Sequence, residues 1–166
     1  YVGISNYSPE QTRDASRILR SLGTPCLLHQ PRYNMFDRHI EEGLLEVLKE
    51  EGIGCIVYSP LAQGLLTERY LEGVPADSRA GKAGRFLKPE NVDQQIVDRA
   101  RKLAGLARQR GQSLAQLAVT WTLRQPQITS VLIGASRPAQ VEELQAGLAH
   151  PPLTESELQE IESCLR

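Results

Sequence analysis

The chain lacks several things, and each lack narrows what it can do. Its 166 residues contain three cysteines, Cys26, Cys55 and Cys164, all far apart. An odd, scattered set makes no tidy disulfide framework and fits small buried hydrophobes in a reducing, cytoplasmic setting. No apolar run approaches the roughly 20 residues of a membrane-spanning helix, so no membrane partner is expected. No basic-then-apolar leader with a cleavage site opens the chain. Neither sign of charge is in excess: 19 Lys and Arg stand against 20 Asp and Glu. That balance leaves no footprint for nucleic acid. No cluster of His, Cys, Asp or Glu has metal-ligand spacing, and no metal is expected. There is neither a G-x-G-x-x-G fingerprint nor a P-loop, which removes the main support for a Rossmann or nucleotide-triphosphate fold. Met35 is the only methionine, and the first residues, "YVGISN", read as the inside of a strand. Residues are therefore expected in front of Tyr1.

What is present alternates. Four short apolar runs read as strands: Tyr1–Ile4, Cys26–His29, Cys55–Tyr58 and Val131–Gly134. Continuous apolar runs fit parallel strands buried on both faces. A helical pattern follows each. Ala15, Ile18, Leu19 and Leu22 recur at helical spacing behind a start signal, with Ser8 at the N-cap, Pro9 at the first helical position and Gln11 completing a capping box. Leu44, Val47 and Leu48 line a second helix that Gly52 can stop. A helix over 91–110 carries Ile96, Ala100, Leu103 and Ala107 and closes at Gly111. Ser113 and Gln116 cap the next, with Leu117, Ala118 and Trp121 inward. Val141, Leu144 and Leu148 form a stripe after the fourth strand, and Thr154 and Glu157 cap a last helix through Leu158, Ile161 and Leu165. The loop over 62–90 exceeds ordinary connection lengths. It is rich in Gly, Arg and small residues with little apolar anchoring, so it is expected to be the most mobile part without a ligand.

Strand–helix alternation predicts a parallel α/β fold, with 1–166 as one domain. Four units do not close a barrel, which needs eight and ~250 residues. The choice is an open, doubly wound sheet or half of a barrel, and half a barrel would leave two unpaired edges.

The working surface of such folds is the C-terminal end of the strands. Ser5 and Asn6 follow the first strand. Gln30, Tyr33 and Asn34 follow the second, and Tyr58, Ser59, Leu61 and Gln63 end or follow the third. These amides and hydroxyls suit a carboxamide or a sugar. Tyr58 is either a stacking platform or a core residue of a strand end. Gly134, Ser136, Arg137 and Gln140 end the fourth strand at the start of a helix. There, unsatisfied N–H groups and a planar guanidinium can grip phosphate; the alternative is a plain Ser N-cap beside a solvated arginine. His29, which alternates with Gln30 along its strand, reads as a structural histidine. His39 and His150 read as surface or loop residues.

The stretches "GISNYS", "HQPRYNMFDR", "YSPLAQGLLTERYLEGVPADSR" and "SVLIGASRPAQVEEL", in this order and spacing, resemble the aldo-keto reductases. The chain is most similar to the branch with potassium-channel beta subunits and bacterial glyceraldehyde-3-phosphate or methylglyoxal reductases. The resemblance covers essentially all of residues 1–166. It implies the C-terminal half, strands five to eight, of a (β/α)8 barrel. It also implies NADPH as cofactor and a small carbonyl compound as substrate. By resemblance, Ser5, Asn6 and Gln30 hold the nicotinamide carboxamide, and Tyr58 stacks on its ring. Ser59, Leu61 and Gln63 line the pyrophosphate, while Arg69 and Arg79 close over the phosphates. Gly134, Ser136, Arg137 and Gln140 hold the 2′-phosphate, and Glu143 reaches the adenine amino group. The family often has Glu-Asn where this chain has Glu143–Leu144, so one amide is missing there. The family's catalytic Asp, Tyr, Lys and His lie on the first four strands, so no catalytic residue is assigned to this chain. Carbonyl reduction by hydride transfer is the implied activity of the complete protein, and this chain alone is expected to be inactive. Its partner is the N-terminal half-barrel or another copy. The alternative is a redox-sensing, NADPH-binding interaction protein like the channel beta subunits.

Overall fold

The strands follow one another in the sheet as they do in the chain. β1 (Val2–Ser5), β2 (Cys26–Gln30), β3 (Gly54–Tyr58) and β4 (Ile128–Leu132) pair in the order β1-β2-β3-β4, every pair parallel. In the computed structural model, residues 1–75 and 92–166 are described. An order that never reverses has no topological switch point, which sets the doubly wound alternative aside. The chain divides into two compact units, Tyr1–Pro60 with Thr122–Gly134, and Leu61–Trp121 with Ala135–Arg166.

The first unit holds the sheet with α1 (Pro9–Ser21) and α2 (Leu44–Glu51). α1 starts where the sequence says. The Ser8 hydroxyl accepts the Gln11 N–H at 3.2 Å, and the Gln11 side-chain oxygen accepts the Ser8 N–H at 2.9 Å. α2 buries Leu44, Val47 and Leu48 and stops at Gly52, whose φ of 66° suits glycine. Cys55 and Val57 are fully enclosed on one face of β3, while Gly54, Ile56 and Tyr58 on the other face are only half-buried. The expected burial on both faces is therefore corrected: the described residues cover one face.

Three further readings are corrected in this unit. Tyr1 lies outside β1 and is fully exposed. β4 begins at Ile128, which pairs with Cys55, and stops at Leu132, so Ile133 and Gly134 fall beyond it. Exposed Thr129 and Ser130 hid that start. On α1, Ile18 and Leu22 are exposed, and the buried positions are Thr12 and Ser16. Both hydroxyls are satisfied: Thr12 donates to the Ser8 carbonyl at 2.8 Å and Ser16 to the Glu51 carboxylate at 2.7 Å.

The second unit holds α3 (Gln94–Gln109), α4 (Leu114–Thr122) up to Trp121, α5 (Pro138–Gly147) and α6 (Glu155–Leu165). α3 is shorter than the predicted 91–110 because Asp93 caps it, accepting the Ile96 N–H at 2.8 Å. Ala100, Leu103 and Ala107 are buried as read, joined by Val97, Ala104 and Leu106, while Ile96 is only half-buried. Leu117, Ala118, Trp121 and Ile161 are buried. The α5 stripe is corrected, since Leu144 is buried but Val141 and Leu148 are exposed. The long loop also starts differently from expectation. Two three-residue turns, Ala62–Gly64 and Glu68–Tyr70, flank buried Leu65 and Leu66, and the second carries buried Tyr70, an apolar anchor the composition concealed.

Candidate functional site

The strand ends of the first unit bring four predicted residues together. Ser5 pairs with Gln30 in the ladder, and its hydroxyl donates to the Gln30 carbonyl at 2.7 Å. Tyr58 closes β3 opposite Leu132. Its hydroxyl donates to the Asn6 side-chain oxygen at 3.3 Å, and the Arg32 N–H reaches the same oxygen at 3.2 Å. With its oxygen so engaged, the Asn6 amide can present its two N–H donors outward. The Tyr58 ring, half-buried, keeps an accessible surface. Next along the chain, the Ser59 carbonyl accepts a 3.0 Å bond from buried Asn34.

Backbone strain falls on two of these residues, Asn6 and Ser59. Among the described residues, the non-glycine positions with positive φ are Asn6 (56°), Ser59 (58°), Ala62 (45°) and Gln63 (62°). Three of these four are predicted site residues. Such conformations cost on the order of 1 kcal/mol or more each and collect where a ligand must be met.

Tyr33 is corrected. It does not join the strand-end set but is fully buried, its hydroxyl donating to Glu41 and accepting from Arg124 at 2.8 Å. Burial pushes the Tyr33 phenol up. Burial also pushes the Glu41 carboxyl up, but bonds from Arg38, Tyr33 and Arg124 outweigh it and hold it below the usual carboxylate range. This network escaped the sequence reading because Tyr33 and Arg124 lie 91 residues apart with no local pattern linking them. His29 is structural, as read: it is fully buried, and its Nε2 accepts the Tyr7 N–H at 3.2 Å. Burial pushes its pKa down to about 4. Cys26 and Cys55 are buried, and burial pushes the Cys55 thiol up to about 12.

The second unit carries the anion-suited residues. Two N–H groups converge on one point: Ser136 and Arg137 donate to the Gln140 side-chain oxygen at 2.8 and 3.2 Å, and the Ser136 hydroxyl joins at 3.2 Å. Arg137, not Ser136, is the N-cap of α5, with Pro138 at the first position. The plain Ser N-cap is thereby set aside. Arg137 and Ser136 are both exposed. Gln63 holds a buried side-chain oxygen with no partner among the described residues. The Leu61 carbonyl accepts the Gly64 N–H at 2.8 Å, which shapes that turn. Arg69 lies exposed on the Glu68–Tyr70 turn, where Thr67 accepts its N–H at 3.2 Å. Glu143 accepts the Ser113 hydroxyl at 2.7 Å. Gly134 ends the first unit, exposed. Arg79 lies outside the described residues. Among those residues no metal-ligating group of three occurs, and no helix is long and apolar enough to cross a membrane.

Parallel β/α units with amides and a tyrosine at the ends of the strands suit one class of protein. The chain belongs to the aldo/keto reductase family, whose model matches residues 1–166. It is 46% identical over 166 residues to the L-glyceraldehyde 3-phosphate reductase of Escherichia coli strain K12, covering 98% of this chain and 48% of that protein. It is 34% identical over 171 residues to a probable voltage-gated potassium channel subunit beta of Arabidopsis thaliana, covering 100% of this chain and 52% of that one. A solved structure of a glycerol dehydrogenase from Gluconobacter oxydans superposes with a TM-score of 0.77 at 30% identity, covering 98% of this chain and 48% of the other. The chain thus spans about half the length of the relatives it matches.

Proposed function

We propose that residues 1–166 are the NADPH-binding, C-terminal half of a carbonyl-reducing aldo-keto reductase, contributing strands five to eight of one barrel domain. The observation that carries the reading is the Ser136–Arg137 turn. Its two N–H groups and a hydroxyl already enclose a single oxygen beside an exposed guanidinium. That donor set fits a phosphate oxygen. The strained backbone at Asn6, Ser59 and Gln63 also fits residues that meet a ligand.

When bound, the cofactor supplies hydride to a carbonyl carbon. The chain's own residues aim it. Asn6, with Ser5 and Gln30, offers hydrogen bonds to a carboxamide, and Tyr58 offers its ring face. By the resemblance, Ser59, Leu61 and Gln63 would line the pyrophosphate, and Arg69 and Arg79 would close over the phosphates. Gly134, Ser136, Arg137 and Gln140 would hold the 2′-phosphate. Glu143 keeps one carboxylate oxygen for the adenine amino group while the other takes the Ser113 hydroxyl. The proton donor belongs to the preceding half, and we assign no catalytic residue here. Three free cysteines suit a reducing, cytoplasmic compartment.

The half-barrel reading draws support from where apolar side chains are exposed. In the first unit, exposed Tyr1, Tyr7, Ile18 and Leu22 lie on or beside β1 and α1, and exposed Leu132 and Ile133 at the end of β4; Leu27 on β2 is exposed as well. The outer strands β1 and β4 are the edges that the other half, or another copy, would cover. The likeness to channel beta subunits favours a second reading, an NADPH-binding interaction protein. Turnover of short aldehydes and glyoxals by the parent protein with NADPH decides between them. NADPH binding without turnover supports the second reading, and absence of NADPH binding overturns both.

A further inference from the structure

We infer that the first turn of α4 locks the two proposed phosphate-binding arms of the second unit to each other, with Glu68 and Glu143 as positioning residues. The inference rests on the NADPH reading above. The Leu114 N–H is one of the donors a helix start leaves without an internal partner. The Glu68 carboxylate accepts it at 2.8 Å, from 46 residues away. A charged acceptor at a helix start is a strong one. Glu68 shares its three-residue turn with Arg69, and Tyr70, the third member, is buried. The bond therefore fixes the Arg69 backbone to α4.

The same turn of α4 holds α5. The Ser113 hydroxyl accepts the Gln116 N–H at 3.2 Å and donates to the Glu143 carboxylate at 2.7 Å. The Gln116 side chain accepts the Ser113 N–H at 3.0 Å and donates to the Glu143 carbonyl at 2.7 Å. A capping box that is normally self-contained thus extends two bonds to a second helix. One turn further along α5 sits Gly147. A Cβ there would stand 2.8 Å from Gln116 Cγ and 2.9 Å from Gln116 Cβ, so the approach requires glycine. Arg137 caps the same α5. The path Arg69 turn, Glu68, α4 start, Glu143, Arg137 turn is continuous and uses only side chains, caps and one close contact.

Two arms held by one rigid piece answer as one. Phosphate engaged at Arg137 presents Arg69 correctly, and the reverse. Distant, unlinked sites give additive losses on mutation, and linked ones do not. The experiment measures NADPH affinity of the parent protein carrying Arg69→Ala, Arg137→Ala and both, then repeats the set with Ser113→Ala. Non-additivity of about 3- to 10-fold is expected with Ser113 present. With Ser113→Ala the losses become additive, and Ser113→Thr restores the coupling. Thr154→Ala removes the matching cap hydroxyl of α6, so it reports a merely structural loss and leaves the coupling intact. Additive losses with Ser113 present, or coupling that survives Ser113→Ala, overturn the inference while leaving the NADPH reading standing. Arg137→Ala with unchanged NADPH affinity overturns that reading itself.

Discussion

Arg137 offers its guanidinium beside two backbone donors, and in the proposed reading this charge decides between NADPH and NADH. A hydrogen bond to a charged group contributes ~1.5–3 kcal/mol. Arg137→Ala is expected to weaken NADPH roughly 10- to 150-fold and to leave NADH nearly unchanged, with salt weakening NADPH more. Cofactor titration of the parent protein at two ionic strengths checks this; equal losses for both cofactors would refer Arg137 to the fold. His29 carries a pH dependence. Burial holds its folded pKa at about 4, against 6.5 ordinarily. Its contribution is complete above pH 6.5 and declines as pH falls toward 4, because the unfolded chain takes up a proton there and the folded chain does not. The decline is on the order of 3 kcal/mol. Urea midpoints across that window should fall less steeply for His29→Gln than for the unsubstituted protein; parallel slopes would refute the assignment. At this scale the sequence named Ser5, Asn6, Gln30 and Tyr58 correctly as strand-end residues, since chain order alone puts them there. It misplaced Tyr33, because a residue three past a strand can turn either way and its partners are remote in sequence.

Gly147 is the clearest test of how the helices are set. Gly147→Ala forces its new methyl against Gln116, and overpacking of this kind costs about 1–3 kcal/mol. The parent protein should melt lower, and NADPH affinity should drop with it; an unchanged melting temperature would mean that Gln116 yields freely. Helix starts were the most legible elements. The pairs Ser8 with Gln11, Ser113 with Gln116 and Thr154 with Glu157 all cap as read, because a capping box is written within four residues. The start of β4 was hidden because its exposed Thr129 and Ser130 lack the apolar signature of a buried strand. The stripes on α1 and α5 have the right period, yet Ile18, Leu22, Val141 and Leu148 are exposed. Period reveals an apolar face without revealing what covers it.

At the scale of the molecule, among the described residues β1 pairs with β2 alone and β4 with β3 alone. Both outer edges present backbone groups with no partner among the described residues, a condition that draws other strands. Residues 1–166 made alone are expected to associate or to bind a hydrophobic dye, and to show no NADPH oxidation with short aldehydes. Sedimentation and a turnover assay test both. A stable, dye-free monomer would refute the half-barrel reading, as would turnover. The parallel α/β class was legible from strand–helix alternation. The choice between an open sheet and part of a barrel was not legible in that alternation; the four motifs that resemble a known family made it, and the strand order agrees with part of a barrel.

The oxygen of Gln140 has a kinetic consequence. It sits on the donors of Ser136 and Arg137, so those three groups carry no unmet demand in the free protein. In the proposed reading an arriving phosphate is a replacement: it displaces a neutral oxygen and gains only the difference between a charged acceptor and an amide. Departure is eased in the same way. As the phosphate loosens, the amide can follow it back onto the donors one bond at a time, so they are never bare. In that reading, cofactor release outpaces what the tightness of the grip alone would allow, which would suit a reductase that sheds its oxidised cofactor each round.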